Sequence, residues 1–330
     1  MIRILALTLL AINACSSPPQ TPVDTREASR VSPAYDAQFH DADRALTALR
    51  TLSSDEFEGR QSGTPGNLKA RAWIKSRLEE MNVSPARKEG YEIEFAAPRF
   101  DEPGGVIDGT NLIAVIPGEN RGARDAKAIV LSAHYDHLGI KDGEVYNGAD
   151  DNASGVAALM EVIAWFQAHP PATHLIFAFF DAEEDGITGS GQFVAKLSDT
   201  EKTNIALNLN LDMVARADAS ELYAVGGYHV PDLVPVIEAV AADAPIKLLR
   251  GHETPDLGKD DWTLASDHAP FFLAGIPILY LGVEDHSDYH RPTDTFDKVD
   301  PEAFARSVDT IILMAEALDD WVAAEEASAD

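Results

Sequence analysis

The sequence predicts an α/β fold, a three-layer αβα sandwich built around a mostly parallel mixed sheet. Three observations carry this. Short runs such as residues 175–180 (LIFAFF) are apolar at every position, so both faces of those strands must be covered. These runs alternate along the chain with helical patterns, the arrangement of parallel strands joined by crossover helices. The chain has 330 residues, 45% of them hydrophobic, with no internal repeat and no inserted second domain, so one large core can take it.

The first residues read as a targeting segment. Arg3 supplies a positive start, residues 4–12 are an apolar run too short to span a bilayer, and Ile12-Asn13-Ala14-Cys15 follows. Small residues before a lone cysteine resemble the lipobox of bacterial lipoproteins. That resemblance implies a signal peptide over 1–14 and a lipid on Cys15 that attaches the exported chain to a membrane. Ser16 after the cysteine fits the periplasmic side of the outer membrane in a Gram-negative host. A secreted or soluble periplasmic chain is the alternative. The Ser-, Pro- and Thr-rich stretch that follows reads as a flexible tether, taken here as 15–40.

Beyond it, residues 41–52 form an amphipathic helix with Ala45, Leu46 and Leu49 on one face. Residues 65–81 form a second, capped by Thr64, with Pro65 in its first turn and Ile74, Leu78 and Met81 as its stripe. From about residue 128, strands at 128–133, 175–180, 205–211 and 276–281 alternate with helices at 155–167, 192–196, 234–242 and 301–322.

Lys and Arg number 26 against 55 Asp and Glu, a formal net charge of −29. Such a chain repels nucleic acid and anionic lipid, and its acidity serves solvation. Cys15 is the only cysteine, which excludes an intramolecular disulfide and a thiolate zinc cluster. Any metal site must use His, Asp and Glu.

In open α/β sheets, ligands bind beyond the carboxyl ends of the strands. His134-Tyr135-Asp136-His137 follows the first of these strands, and Asp181-Ala182-Glu183-Glu184-Asp185 the second. The third ends in Asn210-Leu211-Asp212. Asp285-His286 and Asp288-Tyr289-His290 lie past the fourth, and Asp150-Asp151-Asn152 precedes the helix at 155–167. Gathered at one rim, these carboxylates would repel one another, a conflict that metal cations resolve. Imidazole with carboxylate and no thiolate suits Zn²⁺, with Mn²⁺ or Co²⁺ as substitutes.

The chain resembles the M28 family of di-zinc peptidases. The resemblance rests on His134-Tyr135-Asp136, the run from Gly148 to Gly155, Phe180-Asp181-Ala182-Glu183-Glu184, Asn210-Leu211-Asp212-Met213, Ser266-Asp267-His268 and the run from Tyr289 to Thr295. The run from Leu52 to Arg60, with Gly63-Thr64-Pro65-Gly66, is similar to many bacterial members. The likeness covers roughly residues 45–320, within an expected peptidase domain at 41–325. It implies two zinc ions, with Asp150 bridging them, His134 and Asp212 on one, and Glu184 and His290 on the other. It implies Glu183 as general base, Asp136 orienting His134, and a cis peptide between Asp150 and Asp151. Some members carry a tyrosine before the Ser-Asp-His motif, where this chain has Leu264-Ala265. His268 is expected to line the pocket, and His137 and His286 to be hydrogen-bonded structural residues. Tyr289 and Trp262 fit either a substrate pocket or the core.

The activity expected is removal of N-terminal residues from peptides. Three readings stand beside it: a carboxypeptidase or dipeptidase on the same scaffold, a glutaminyl-cyclase-like enzyme, and a non-catalytic receptor-like binding protein.

Overall fold

The computed structural model describes residues 35–98, 105–119, 126–217 and 219–329. The targeting segment, Cys15 and most of the expected tether lie outside them.

The strands are β1 (Ser84–Pro85), β2 (Glu92–Pro98), β3 (Val106–Ile116), β4 (Ala128–His134), β5 (Gly139–Lys141), β6 (Glu144–Tyr146), β7 (His174–Phe180), β8 (Ile205–Leu211), β9 (Glu221–Val225), β10 (Lys247–Arg250) and β11 (Ile278–Gly282). The helices are α1 (Ala42–Leu52), α2 (Pro65–Glu80), α3 (Gly155–Ala168), α4 (Thr188–Lys196), α5 (Asp199–Asn204), α6 (Val234–Asp243), α7 (Ala269–Leu273) and α8 (Pro301–Ala329). One nine-stranded sheet runs in the order β1-β3-β7-β4-β8-β11-β9-β10, with β2 also on β3.

The centre of the sheet is parallel, β7 to β4 to β8 to β11. Its flanks turn antiparallel where β3 joins β7 and β9 joins β11. Alternate side chains divide the core. Ile129, Leu131, Phe177, Phe179, Leu209 and Leu281 face the layer that contains α1, α3 and α8. Val130, Ala178, Phe180 and Ile278 face Phe193 of α4 and Phe271 of α7 on the other side. This period of two, apolar on both sides, is why these strands read as continuous hydrophobic runs. The expected three-layer sandwich is the observed fold.

Two boundaries differ from the expectation. Residues 35–40, read as tether, are fastened to α8: Asp309 accepts hydrogen bonds from the Tyr35 hydroxyl, Gln38 N (2.8 Å) and Phe39 N (3.1 Å), and pairs with His40 Nδ1 (2.6 Å). Phe39 also meets Trp165 edge to face, ring centroids 5.4 Å apart. At the other end α8 continues past the expected residue 322.

Among the described residues, no helix is long and apolar enough to cross a membrane.

Candidate metal centre

The carboxyl ends of β4, β7, β8 and β11 open on one rim. Four backbone devices shape the loops there. Arg60, 1% exposed, threads its guanidinium among backbone carbonyls: Nε donates to Tyr135 O (2.9 Å), Nη1 to Leu52 O (2.6 Å) and Asn147 O (2.7 Å), and Nη2 to Gly148 O (2.9 Å). Burial pulls its pKa down to about 10 against the opposing pull of Asp151 and Asp136, so it stays a cation at neutral pH. Gly148 sits at φ +54°, and a Cβ there would lie 2.0 Å from Asp151 O and 2.5 Å from the His137 ring. Only glycine takes that conformation in that space. Asp294 accepts the amides of Asp150 (3.1 Å) and Asp151 (3.2 Å). Asn152 donates to Leu211 O (2.9 Å) and accepts from Gly155 N (2.9 Å), joining the loop before α3 to the end of β8.

These devices set the outcome at the paired aspartates, and it departs from the expectation. Asp151, not Asp150, faces both halves of the site. One Asp151 oxygen, Oδ1, lies 3.3 Å from His134 Nε2, which is 3.3 Å from Asp212 Oδ1. The other, Oδ2, lies 3.1 Å from His290 Nε2, which is 3.2 Å from Glu184 Oε2. Asp150 turns away: its Oδ1 accepts from Ala215 N (2.7 Å) and Arg216 N (3.1 Å), and its Oδ2 pairs with His286 Nε2 (3.2 Å). The physical reason is that Asp150 is engaged by the backbone after β8, which leaves its neighbour to face the rim. The cis peptide is likewise Asp151–Asn152 rather than Asp150–Asp151.

Asp136 also differs. Its carboxylate is 3.7 Å from His134 Nδ1, which lies nearer the Asp136 carbonyl, 3.2 Å. The carboxylate instead accepts the amides of Glu183 (3.0 Å) and Glu184 (3.3 Å).

The electrostatics are those of crowded acids facing imidazoles. Burial alone would raise the Asp151 carboxyl, but His137, His134 and His290 outweigh it and hold it well below the usual carboxylate range. Burial would lower His290, but Asp151 and Glu184 push it up to about 10. Glu183 moves the other way. Burial raises it, His134 opposes, and the carboxylates of Asp212, Asp267 and Glu184 carry it well above the usual range. Asp267, fully buried nearby, is pushed up to about 7 by burial.

The donor set fits zinc. Two groups, His134 with Asp151 and Asp212, and Asp151 with Glu184 and His137, each converge within a few ångströms. Tetrahedral ligand bonds of about 2.0–2.2 Å put donors on one ion roughly 3.3–3.6 Å apart. The spacings of 3.1–3.3 Å through Asp151, His134, Asp212, His290 and Glu184 lie within a few tenths of an ångström of that.

Of the other residues expected near the rim, His286 is hydrogen-bonded as expected, accepting from Asp288 N (3.2 Å) besides its pairing with Asp150. His268 is fully buried, its Nε2 2.9 Å from Trp262 O, and so supports the 262–268 loop. Trp262 stacks on His252 (3.7 Å) and Tyr289 on His290 (3.9 Å). His137 is not hydrogen-bonded as expected: neither ring nitrogen has a hydrogen-bond partner. Sequence reasoning passed over Arg60 and Asp294 as residues that shape the site, although both lie inside the quoted motifs.

Residues 111–315 match the model of peptidase family M28. The chain belongs to this family. Its relatives include the aminopeptidase YwaD of Bacillus subtilis, 28% identical over 213 residues, which cover 61% of this chain and 43% of that protein. The probable lipoprotein aminopeptidase LpqL of Mycobacterium tuberculosis is 29% identical over 300 residues, 81% of this chain and 56% of that one. The alkaline phosphatase isozyme conversion protein of Escherichia coli is 25% identical over 267 residues, 76% and 74%. The chain thus spans about half the length of the first two and about three quarters of the third. Among solved structures, the zinc aminopeptidase BSAP of Bacillus subtilis superposes with a TM-score of 0.66 at 16% identity, covering 85% of this chain and 96% of its own. A glutaminyl cyclase from an Acidobacteriales bacterium gives 0.69 at 22%, covering 88% and 98%. At these identities the likeness is one of fold.

Proposed function

We propose that this M28 chain is a zinc-dependent aminopeptidase that hydrolyses the N-terminal residue from peptides. The observation that carries the reading is the Asp151 carboxylate, with one oxygen toward His134 and Asp212 and the other toward His290 and Glu184. His134, Asp151 and Asp212 would hold one ion, and Asp151, Glu184 and His290 a second. When bound, the pair supplies Lewis acidity toward the scissile carbonyl and lowers the pKa of water.

The chain's own residues supply the proton transfers. Glu183 accepts the proton of the attacking water on its carboxylate and returns it to the nitrogen of the leaving amine. Asp136 fixes the backbone of Glu183 and Glu184 together, so adjacent carboxylates can do separate work.

Glutaminyl-cyclase-like chemistry is the second reading, favoured by the fold likeness to such enzymes. Against it stands a His134–Asp151–Asp212 group as complete as its neighbour. Kinetics on aminoacyl-p-nitroanilides, N-blocked peptides and N-terminal glutaminyl peptides, with chelator and with zinc restored, separate the readings. Hydrolysis of free N-termini only, abolished by chelator and restored by zinc, is the expected result. Cleavage of N-blocked peptides from the other end, or cyclisation alone, overturns it.

The pattern around Cys15 supports export and acylation of that cysteine, as does similarity to a relative named a probable lipoprotein aminopeptidase. Cys15→Ser would then move the protein from the membrane fraction to the soluble one; unchanged partitioning sinks this part.

A further inference from the structure

His137 has no exposed surface, and its two ring nitrogens have no hydrogen-bond partner. A buried imidazole left in that state is costly unless something else engages it. What it faces is the metal-binding rim. Its Nδ1 lies 2.7 Å from Glu184 Oε1 and 3.7 Å from Asp151 Oδ2. Glu184 Oε1 is itself without a hydrogen-bond partner despite that proximity. The two atoms are close without the alignment of a hydrogen bond, and His137, Asp151 and Glu184 gather donor atoms as a group that could hold an ion. The spacings bracket the roughly 3.3–3.6 Å expected between donors on one tetrahedral zinc ion.

The fold fixes the ring there. The His137 amide donates to Arg60 O (3.4 Å), while the Arg60 guanidinium holds Tyr135 O on one side and Asn147 O and Gly148 O on the other. Gly148 closes against the ring, with no room even for a methyl group. His290 lies across the carboxylates, ring centroids 6.0 Å away at 62°. The two imidazoles thus flank Asp151 and Glu184.

We infer that His137 is a further protein donor to the ion of the Asp151–Glu184–His290 group, through Nδ1. This rests on the two-ion reading above and deepens it: one site would take His134, Asp151 and Asp212, and the other a richer set with two imidazoles. The more nitrogen-rich site should be the tighter and the more selective for zinc over manganese, because imidazole suits zinc and carboxylate or water suits manganese.

The test is zinc titration of chelator-stripped protein by calorimetry, wild type against His137→Gln and His137→Ala, with X-ray absorption at the zinc edge on loaded wild type. The expected result is two zinc ions on wild type, one of them weakened by at least about ten-fold in both variants while the other is unchanged. The absorption data on wild type should fit imidazoles from His134, His137 and His290 rather than from His134 and His290 alone. Unchanged affinities in folded variants overturn the inference. Weakened affinity with a wild-type spectrum lacking the extra imidazole also overturns it, since His137 would then only position Glu184. Should neither variant fold, the wild-type spectrum alone decides. Wild type that binds fewer than two ions refutes the two-ion reading itself, a result distinct from either.

Discussion

Asp136 grips Glu183 by the backbone: Oδ1 accepts the Glu183 amide at 3.0 Å while Oδ2 takes that of Glu184 at 3.3 Å. One carboxylate therefore sets the position of the proposed base and of the proposed ligand next to it. Asp136→Asn keeps one acceptor and leaves one buried amide unpaired, a cost of about 1–3 kcal/mol. We expect kcat to fall roughly 10–100-fold with KM little changed. Steady-state kinetics check this. A variant whose KM rises while kcat holds would refute the positioning role.

Glu183→Gln should leave zinc content at the wild-type level, because Glu183 belongs to neither donor group. Turnover should fall by about 10²–10⁴-fold, the usual contribution of a positioned acid–base group. Elemental analysis and kcat on the same preparation decide it. Near-normal turnover removes Glu183 from the proton transfers.

Asp151→Asn and Asp150→Asn should part company. Asp151 faces both donor groups, so its loss should strip zinc and lower kcat by at least about 10²–10³-fold. Asp150 accepts from Ala215 N, Arg216 N and His286, so its variant should lose about 1–3 kcal/mol of stability and keep its zinc. The reverse pattern would return the bridging role to Asp150.

Those two aspartates also show where sequence reading stops. The strands of the parallel centre and their covering helices were legible because burial on both faces leaves an unbroken apolar run, as at 128–133 and 175–180. The flanking strands were not read. β2 buries only alternate residues, and β9 and β10 are short. The donor residues were legible as types at strand ends. Which of two chemically identical neighbours points inward was not, because Gly148 at φ +54° and the amides of Ala215 and Arg216 decide it. His137 reads as an ordinary core histidine until its ring nitrogens are seen to make no hydrogen bond.

Arg60→Lys should destabilise the fold although it keeps the charge. A lysine ammonium cannot span the fork by which Arg60 holds Leu52 O, Tyr135 O, Asn147 O and Gly148 O. Buried carbonyls lose charged donors worth about 1.5–3 kcal/mol each. We expect a fall of a few kcal/mol in unfolding free energy in denaturant, with weaker zinc binding because the loops carrying His137 and Asp151 loosen. Stability within about 0.5 kcal/mol of wild type would contradict the clamp.

The docking of residues 35–40 carries a pH signature. Burial would raise the Asp309 carboxyl, but hydrogen bonds from His40, Gln38 N and Tyr35 outweigh it and hold it below the usual range. A carboxyl with a depressed folded pKa contributes stability above its unfolded value, near 3.9, and that contribution is lost as pH falls through the folded value. Asp309→Asn should therefore cost about 1–3 kcal/mol at pH 7, where the carboxylate accepts all of its donors. The gap between wild type and variant should shrink from about pH 4 downward, as wild-type Asp309 itself takes up a proton. Urea unfolding at pH 7, 5 and 3 measures the gap, and hydrogen exchange at the Gln38 and Phe39 amides reports whether the segment lets go locally. A gap that widens toward pH 3 would contradict the depressed pKa, and unprotected Gln38 and Phe39 amides at pH 7 would contradict the docking itself.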